Sequence, residues 1–293
     1  AGWNSESAPP VARLAPAPPD PAKSAPARRE LGERCTQLAG SQYGLALAES
    51  GLAVELRSTG GALHLHWADA RVIADPPEKL KKPSGTRSDA YLSGQISPFA
   101  QAVQSDMLVV SPYLVPGKEG IAFFTKQAQG GVNVRVLTNS LAATDVWLVH
   151  AGYMKYRRPL LENGVRIYEL RPEAAGAKGR RASGVTVGSS RASLHAKTFV
   201  FDRTSVVIGS VNLDPRSLEQ NTEVGVLVQC PALAAEVANL FDHWASPAMS
   251  YQVTRRRDGG LEWTGGLTNE PNAGFWRPLG AKLFSHLPID SLI

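Results

Sequence analysis

The sequence is poor in cysteine, in long apolar runs and in start signals. Cys35 and Cys230 are the only cysteines among 293 residues. Their spacing fits neither a disulfide framework nor a metal site, so we interpret both as buried or half-buried thiols. No stretch reaches the roughly 20 apolar residues of a membrane-spanning helix. The chain begins without Met and without the basic and apolar regions of a signal peptide, so we expect a processed chain or a fragment.

The composition predicts a globular protein with anionic partners. Hydrophobic residues make up 43% and charged residues 19% of the chain, which is an ordinary globular balance. The net charge of +5 and the pI of 9.3 favour nucleic acid, acidic lipid headgroups or a phosphorylated substrate. Basic residues cluster at 155–158, 171–191 and 255–257. A solvated surface explains any one of these clusters equally well.

The first third of the chain shows only weak structural signals. Residues 1–30 are rich in Pro and Ala, which predicts an extended linker or a remnant. Apolar residues recur at helical spacing over 28–49, and a short strand is predicted over 62–67. We interpret residues 31–90 as the remnant of a preceding lobe, built from one helix and short strands.

Strands and helices alternate regularly over residues 91–250. Buried strands at 107–111, 132–137 and 165–170 alternate with helices that end near Gly130 and Gly164. This order predicts an α/β fold in which helices cover both faces of a mixed sheet. Residues 251–293 remain as a C-terminal tail.

Chemistry is concentrated on a strand that we predict from Leu194 to Asp202. Side chains two residues apart point to the same face of a strand, so His195 and Lys197 should share one face. An ammonium can neutralise phosphoryl oxygens while an imidazole attacks phosphorus or moves a proton. Asp202 has an odd offset at the end of the hairpin, which indicates a turn or ion-pair residue. Along the next strand, Ser210 and Asn212 offer a hydroxyl and an amide to phosphate oxygens.

The spacing of these residues carries a family resemblance. The pattern His195-x-Lys197-x4-Asp202-x6-Gly209-Ser210-x-Asn212 resembles the signature of the phospholipase D superfamily. Four further segments resemble the bacterial cardiolipin synthases of the C type: 111–117, 138–145, 150–153 and 212–223.

The resemblance implies a phospholipase-D-like lobe that works through a phosphohistidine without a metal or other cofactor. It implies that His195 is the acid for the leaving group and later the base, and that Glu223 orients a site imidazole. The candidate catalytic residues are His195, Lys197, Asp202 and Glu223. The candidate phosphate- or substrate-binding residues are Ser210, Asn212 and Tyr113.

The chain departs from the family pattern because it carries one motif where the family has two. No Lys follows two residues after His64 or His66, so we interpret both as strand residues. The segment 3–6 resembles the stretch that follows the family's first motif, which predicts a fragment. The alternative is that two copies pair to complete the site. We interpret His150 as a structural or rim residue, and His243 and His286 as surface residues.

These observations predict a phosphatidyltransferase or phosphodiesterase that acts on phosphatidylglycerol-like and phosphatidylethanolamine-like lipids. Its partners would be a membrane surface and either the missing N-terminal lobe or a second copy. The alternatives are a homodimeric single-motif nuclease and a non-catalytic remnant. Nucleic acid is disfavoured because no series of aromatic residues is available to stack on bases. We expect a bacterial protein that is cytoplasmic or peripheral to the inner membrane.

The tail mixes apolar, aromatic and basic residues in a short stretch. Leu279, Leu283 and Leu287 alternate with Lys282, and Trp276 precedes them. This pattern suits a segment lying on anionic lipid. Packing of the tail on the body of the domain is the alternative.

Overall fold

The computed structural model describes residues 21–41, 65–172, 193–274 and 276–285. The chain divides into two compact units, residues 1–67 and residues 68–293. Several predicted features lie outside the described residues. These are His64, His286, the basic loop residues 174–191, the helix beyond residue 41 and the tail from residue 286.

The first unit contains one described helix, α1, at Pro21–Ala39. The linker predicted up to residue 30 is therefore wrong for residues 21–30. Pro21 occupies the first helical position, where its missing N–H costs nothing, and Ala, Arg and Glu favour helix in the residues that follow. Cys35 is exposed, whereas Cys230 in the second unit is buried. The interpretation of Cys35 as a buried or half-buried thiol is wrong.

The second unit is built on a nine-stranded sheet in its described part, in the order β1-β7-β6-β5-β2-β3-β4-β8-β9. β2 pairs in parallel with β3 and β3 with β4, while the other neighbours are antiparallel. The mixed sheet that the sequence predicts is confirmed. The strands are β1 Asp69–Ala74, β2 Asp106–Val110, β3 Asn133–Asn139, β4 Arg166–Leu170, β5 Thr198–Phe201, β6 Ser205–Gly209, β7 Val224–Gln229, β8 Ser250–Arg255 and β9 Leu261–Trp263.

Helices cover both faces of this sheet. Successive residues of β2 point to opposite faces, and Val109 belongs to one buried apolar cluster while Leu108 belongs to another. The first cluster includes residues of α2, α3, α4 and α6, and the second includes residues of α5. The helices are α2 Leu92–Gln101, α3 Gly117–Gln129, α4 Trp147–Glu162, α5 Pro231–Trp244 and α6 Trp276–Phe284, with a short 3₁₀ helix at Pro77–Lys81 and a π-helical turn at Arg216–Gln220.

The structure divides the chain at a different place from the predicted boundaries at 90 and 250. β1 pairs with β7, and β8 pairs with β4. Residues 69–74 and 250–255 therefore belong to the sheet of the second unit. The strand predicted over 62–67 is also wrong in its described part, because residues 65–67 have no regular structure and β1 begins at Asp69. The strand partners of residues 69–74 and 250–255 lie far away in sequence, so no local pattern predicts these two strands.

Most other elements agree with prediction to within about two residues, the usual uncertainty of element ends. Two differ. The sequence predicts a helix over 96–105, whereas α2 spans Leu92–Gln101. β5 begins at Thr198, so Leu194 to Lys197 form an irregular segment before the strand. Among the described helices, none is both long and apolar enough to span a bilayer.

Candidate active site

The candidate site lies at one edge of the sheet, where four strands end or begin. Val110 of β2 stands opposite Thr198 of β5, and Thr198 stands opposite Ile208 of β6. Because β5 is antiparallel to both neighbours, the residue before β5 meets the residues that follow β2 and β6. This topology brings Lys197 to the edge that also carries Ser111 and Ser210.

A buried amide fixes the backbone just before His195. Asn139 ends β3 and is 1% exposed. Its Nδ2 donates to the Leu194 carbonyl oxygen at 3.0 Å, and its Oδ1 accepts from the Leu194 N–H at 2.8 Å. The His195 side chain is exposed. The sequence predicts a loop over 139–144, and no local pattern indicates this contact between Asn139 and Leu194.

Lys197 lies beside His195 but does not share a strand with it. Lys197 is buried, and its Nζ donates to the His195 carbonyl oxygen at 2.8 Å. The prediction that His195 and Lys197 share one face of a strand is wrong, because both residues precede β5 and only His195 is exposed. Burial lowers the pKa of Lys197, while Glu223, Asp145 and Asp214 act against this by favouring the cation. The ammonium is therefore poorly hydrated and surrounded by acids.

Glu223 and Ser210 form a hydrogen-bonded pair beside this cation. The Ser210 hydroxyl donates to the Glu223 carboxylate, and Asn221 Nδ2 donates to Glu223 Oε1 at 3.4 Å. In the described part of the chain, no hydrogen bond joins Glu223 to the ring of His195. The role of Glu223 in orienting a site imidazole therefore stays a prediction.

Asn212 has an unused hydrogen-bonding atom in the loop after β6. The residue is buried, and its Oδ1 has no hydrogen-bond partner among the described residues. An amide left unpaired in the interior costs free energy. Asn212 Oδ1 is therefore available to accept a hydrogen bond from a ligand that reaches this loop.

Tyr113 adds a hydroxyl to the same edge. Its hydroxyl donates to Asp145 Oδ1 at 3.1 Å and lies 3.2 Å from Oδ2. Burial, followed by the charge and hydrogen bond of Asp145, raises the pKa of Tyr113 to about 12, with a smaller contribution from Asp214. The sequence analysis assigned no role to Asp145 or Asp214. Their only signal is their position in segments that resemble the family.

Asp202 lies at the other end of β5 from Lys197, about 16 Å away along the strand. Its carboxylate accepts hydrogen bonds from the N–H groups of Gln104, Ser105 and Asp106 and from the Ser105 hydroxyl, at 2.7–3.0 Å. Burial acts to raise the pKa of Asp202, but these donors together lower it. The contacts give Asp202 a turn role, and its carboxylate does not reach the edge that carries Lys197.

Three other histidines are described besides His195. His150 is buried, and its Nε2 lies 2.9 Å from a terminal nitrogen of Arg157, a structural position. His243 is exposed on α5, and His66 is partly buried before β1. Within the described residues, no three His, Cys, Asp or Glu side chains are grouped closely enough to hold a metal ion.

One edge of this mixed sheet therefore carries an exposed imidazole, a buried ammonium and an amide with an unpaired oxygen. Residues 97–244 match the family described as cardiolipin synthase, PLD-like domain. The chain belongs to this family, and the resemblance noted in the sequence is confirmed.

The chain is also similar to individual proteins. The chain is 36% identical over 240 residues to cardiolipin synthase C of Escherichia coli strain K12, covering 80% of this chain and 50% of that protein. It is 34% identical over 185 residues to an uncharacterised protein of Helicobacter pylori, covering 61% of this chain and 34% of the relative. It also shares 14% identity with the crystal structure of a phosphatidylserine synthase of Haemophilus influenzae, at a TM-score of 0.46, covering 69% of this chain and 44% of that one. The chain thus spans half the length of the curated synthase, or less for the second relative.

Proposed function

We propose that the chain carries one half of the active site of a cardiolipin-synthase-like phosphatidyltransferase or phosphodiesterase. The observation that carries the proposal is the poorly hydrated Lys197 ammonium, held by its Nζ at the carbonyl of His195. Such a cation gains most from an anionic ligand that replaces its lost water. The similarity to cardiolipin synthase C of Escherichia coli supports a phospholipid as that ligand.

The proposed reaction has two steps. A histidine of the other half attacks phosphorus, the bond from phosphorus to the leaving alcohol oxygen breaks, and His195 protonates that oxygen. An acceptor hydroxyl then attacks phosphorus, the bond from phosphorus to the histidine nitrogen breaks, and the hydroxyl proton passes to His195. Lys197 Nζ and Asn212 Nδ2 donate to the non-bridging oxygens, and the Ser210 hydroxyl does so when its hydrogen turns away from Glu223. These donors balance the charge of the phosphoryl group, and the proposal includes no cofactor.

The identity of the acceptor decides the product. Water as acceptor gives hydrolysis, and the hydroxyl of a phosphatidylglycerol-like lipid gives cardiolipin. We propose phosphatidylglycerol-like and phosphatidylethanolamine-like lipids as substrates. The other half of the site comes from a preceding lobe, supported by the likeness of residues 3–6 to the stretch after a first motif, or from a second copy of the chain.

We propose that α6 lies on the surface of an anionic membrane. Trp276, Leu279 and Leu283 are 77%, 54% and 69% exposed on one side of this helix. The opposite side packs on the body, where Phe284 meets the Trp147 ring edge-to-face at 5.3 Å. Exposed aromatic and apolar side chains with nearby Lys and Arg suit an interfacial helix. The exposed side of α6 thus fits the interfacial alternative, and the opposite side fits the alternative in which the tail packs on the body of the domain.

One assay tests the proposed function. The chain is purified with and without the upstream half of a related synthase, and transfer is measured between phosphatidylglycerol molecules in vesicles. We expect transfer that His195→Ala abolishes and that His243→Ala, an exposed histidine on α5, leaves intact. Transfer that survives His195→Ala contradicts the site. Cleavage of DNA without any action on lipid favours the nuclease.

A further inference from the structure

A buried ion pair lies behind the candidate site, outside the segment that matches the family. Asp75 follows β1, and Lys79 lies in the 3₁₀ helix four residues later. Lys79 Nζ is 2.8 Å from Asp75 Oδ2, and the side chains are 1% and 0% exposed. Removing two charges from water is costly, so a buried pair needs further hydrogen bonds to be tolerated.

Asp75 uses its remaining hydrogen-bonding capacity on the backbone of Glu223. The Glu223 N–H donates to Asp75 Oδ2 at 2.9 Å, and the Asp75 N–H donates to the Glu223 carbonyl oxygen at 2.8 Å. Asp75 Oδ1 accepts from the Leu92 N–H at 2.8 Å. Both main-chain groups of Glu223 are therefore tied to one residue, while the Glu223 side chain reaches Ser210.

Lys79 fixes the second acid of the site through the π-helical turn. Its Nζ donates to the Ser217 carbonyl oxygen at 3.1 Å and lies 5.3 Å from the centre of the Tyr91 ring. The Ser217 N–H in turn donates to Asp214 Oδ1 at 2.9 Å. The buried pair thus supports both Glu223 and Asp214, although it touches neither carboxylate.

We propose that Asp75 and Lys79 are positioning residues that hold Glu223 and Asp214 against Lys197. The charges of three acids act to raise the pKa of Lys197: Glu223 just before β7, Asp145 after β3 and Asp214 after β6. Asp145 is held by Tyr113 and is independent of the buried pair. The Asp75–Lys79 pair therefore positions two of the three acids whose charges favour the Lys197 ammonium. The use of this ammonium to bind a phosphoryl group rests on the proposed function.

The pKa of Lys197 tests this proposal without any turnover. It is measured by NMR on protein with ¹³C-labelled lysine, and Lys197→Arg assigns the signal. In the double variant Asp75→Asn/Lys79→Met, which leaves no unpaired charge, we expect the pKa of Lys197 to fall by about one pH unit as the acids move away. The single variant Lys79→Met should shift it in the same direction.

Arg157→Met is the matched control, because it also breaks a buried ion pair but one that involves Glu169 and Glu270. It should leave the pKa of Lys197 unchanged. An unchanged pKa in the folded double variant overturns the proposal, since a purely structural pair would lower only the unfolding midpoint.

The wild-type protein supplies a second test that needs no variant to fold. The N–H groups of Glu223 and Ser217 should exchange with deuterium as slowly as those of β2, and fast exchange contradicts the proposal. Where a complete site is assembled, the double variant should lower kcat about tenfold with little change in KM. An inactive wild-type chain would count against the proposed function only, because the NMR and exchange results stand apart from activity.

Discussion

The Tyr113 hydroxyl is the group whose titration reports most directly on the site. Burial and Asp145 raise its pKa from 10.0 to about 12. Because the pKa is raised, the neutral phenol contributes to the stability of the fold. This contribution is fully present below pH 10.0 and is lost as the pH rises through about 12. In Asp145→Asn we expect the pKa to fall but to stay above 10.0, because burial is the larger cause. A near-ultraviolet absorbance titration measures it, with Tyr113→Phe identifying the transition. An unchanged value in Asp145→Asn would show that the carboxylate does not act on the phenol.

Replacement of Asn212 should affect ligand binding more than stability, because its Oδ1 has no hydrogen-bond partner among the described residues. Replacement by Leu removes a buried atom without a partner, so Asn212→Leu should change the free energy of unfolding by only about 1 kcal/mol in either direction. Phosphatidyl transfer in an assembled site should fall about 100-fold, since Asn212 Nδ2, the donor to the phosphoryl oxygens, is lost together with Oδ1. Urea unfolding and the vesicle assay measure the two effects. A large loss of stability would reveal a structural partner for the amide.

Contacts of single residues set the limit of what the sequence predicts about the site. His195, Lys197, Ser210 and Asn212 are marked by their spacing, which is a local property. Asn139 is not, because its amide acts on Leu194, which is remote in sequence. Contacts of this kind depend on which strands become neighbours, and no pattern along the chain contains that information.

At the scale of elements, Asp202 holds the β5–β6 turn against the segment before β2. Asp202→Ala removes four accepted hydrogen bonds, and we expect the free energy of unfolding to fall by about 2 kcal/mol. Transfer at neutral pH should stay within about twofold, because the carboxylate lies far from Lys197. Urea unfolding and the vesicle assay test this together. A large fall in kcat without loss of stability would show that Asp202 takes part in catalysis.

The lowered pKa of Asp202 also predicts a dependence on pH. A carboxylate with a lowered folded pKa contributes stability that is present above its unfolded value of 3.8 and is lost as the pH falls through the folded value. The stability difference between wild type and Asp202→Asn should therefore shrink below pH 3.8. Unfolding curves between neutral and acid pH measure it, and a constant difference would contradict the role of the ionised carboxylate.

Elements that bury a continuous apolar run were predicted well, whereas edge elements were not. β2 is buried at every position, and such a run is a strong local signal. β1 has one buried residue, Ile73, among exposed neighbours, so its sequence does not differ from a loop. Its strand state depends on pairing with β7. Residues 194–197 are predicted as part of a strand but do not form one. The Asn139 side chain occupies the backbone N–H and carbonyl groups of Leu194, which a neighbouring strand would need.

At the scale of the whole molecule, a buried ionic network joins α4, β4 and the segment after β9. Arg157 lies 3.4 Å from Glu169 and 2.8 Å from Glu270. Arg157→Met leaves both carboxylates buried without this cation and should cost about 3–5 kcal/mol. The matched control is Arg255→Met, which breaks an exposed pair with Glu162 and should cost at most about 1 kcal/mol. Equal losses in urea unfolding would contradict the importance of burial.

The same network predicts sensitivity to acid. Burial acts to raise the pKa of Glu270, but Arg157 and His150 hold it well below its usual range. Stability from this carboxylate is present above the ordinary pKa and is lost as the pH falls below it. Wild type should therefore lose its advantage over Glu270→Gln in strong acid, as followed by circular dichroism. An advantage that persists there would contradict the network.

The amide of Asn139 has a consequence for how duplicated genes of this family decay. A copy that keeps His195 and Lys197 but has lost Asn139 would still match any search for the motif. Its backbone at Leu194 would lack both hydrogen bonds, and the main chain that leads into His195 would lose this support. Asn139 is therefore a marker, outside the motif itself, for telling working copies from relics.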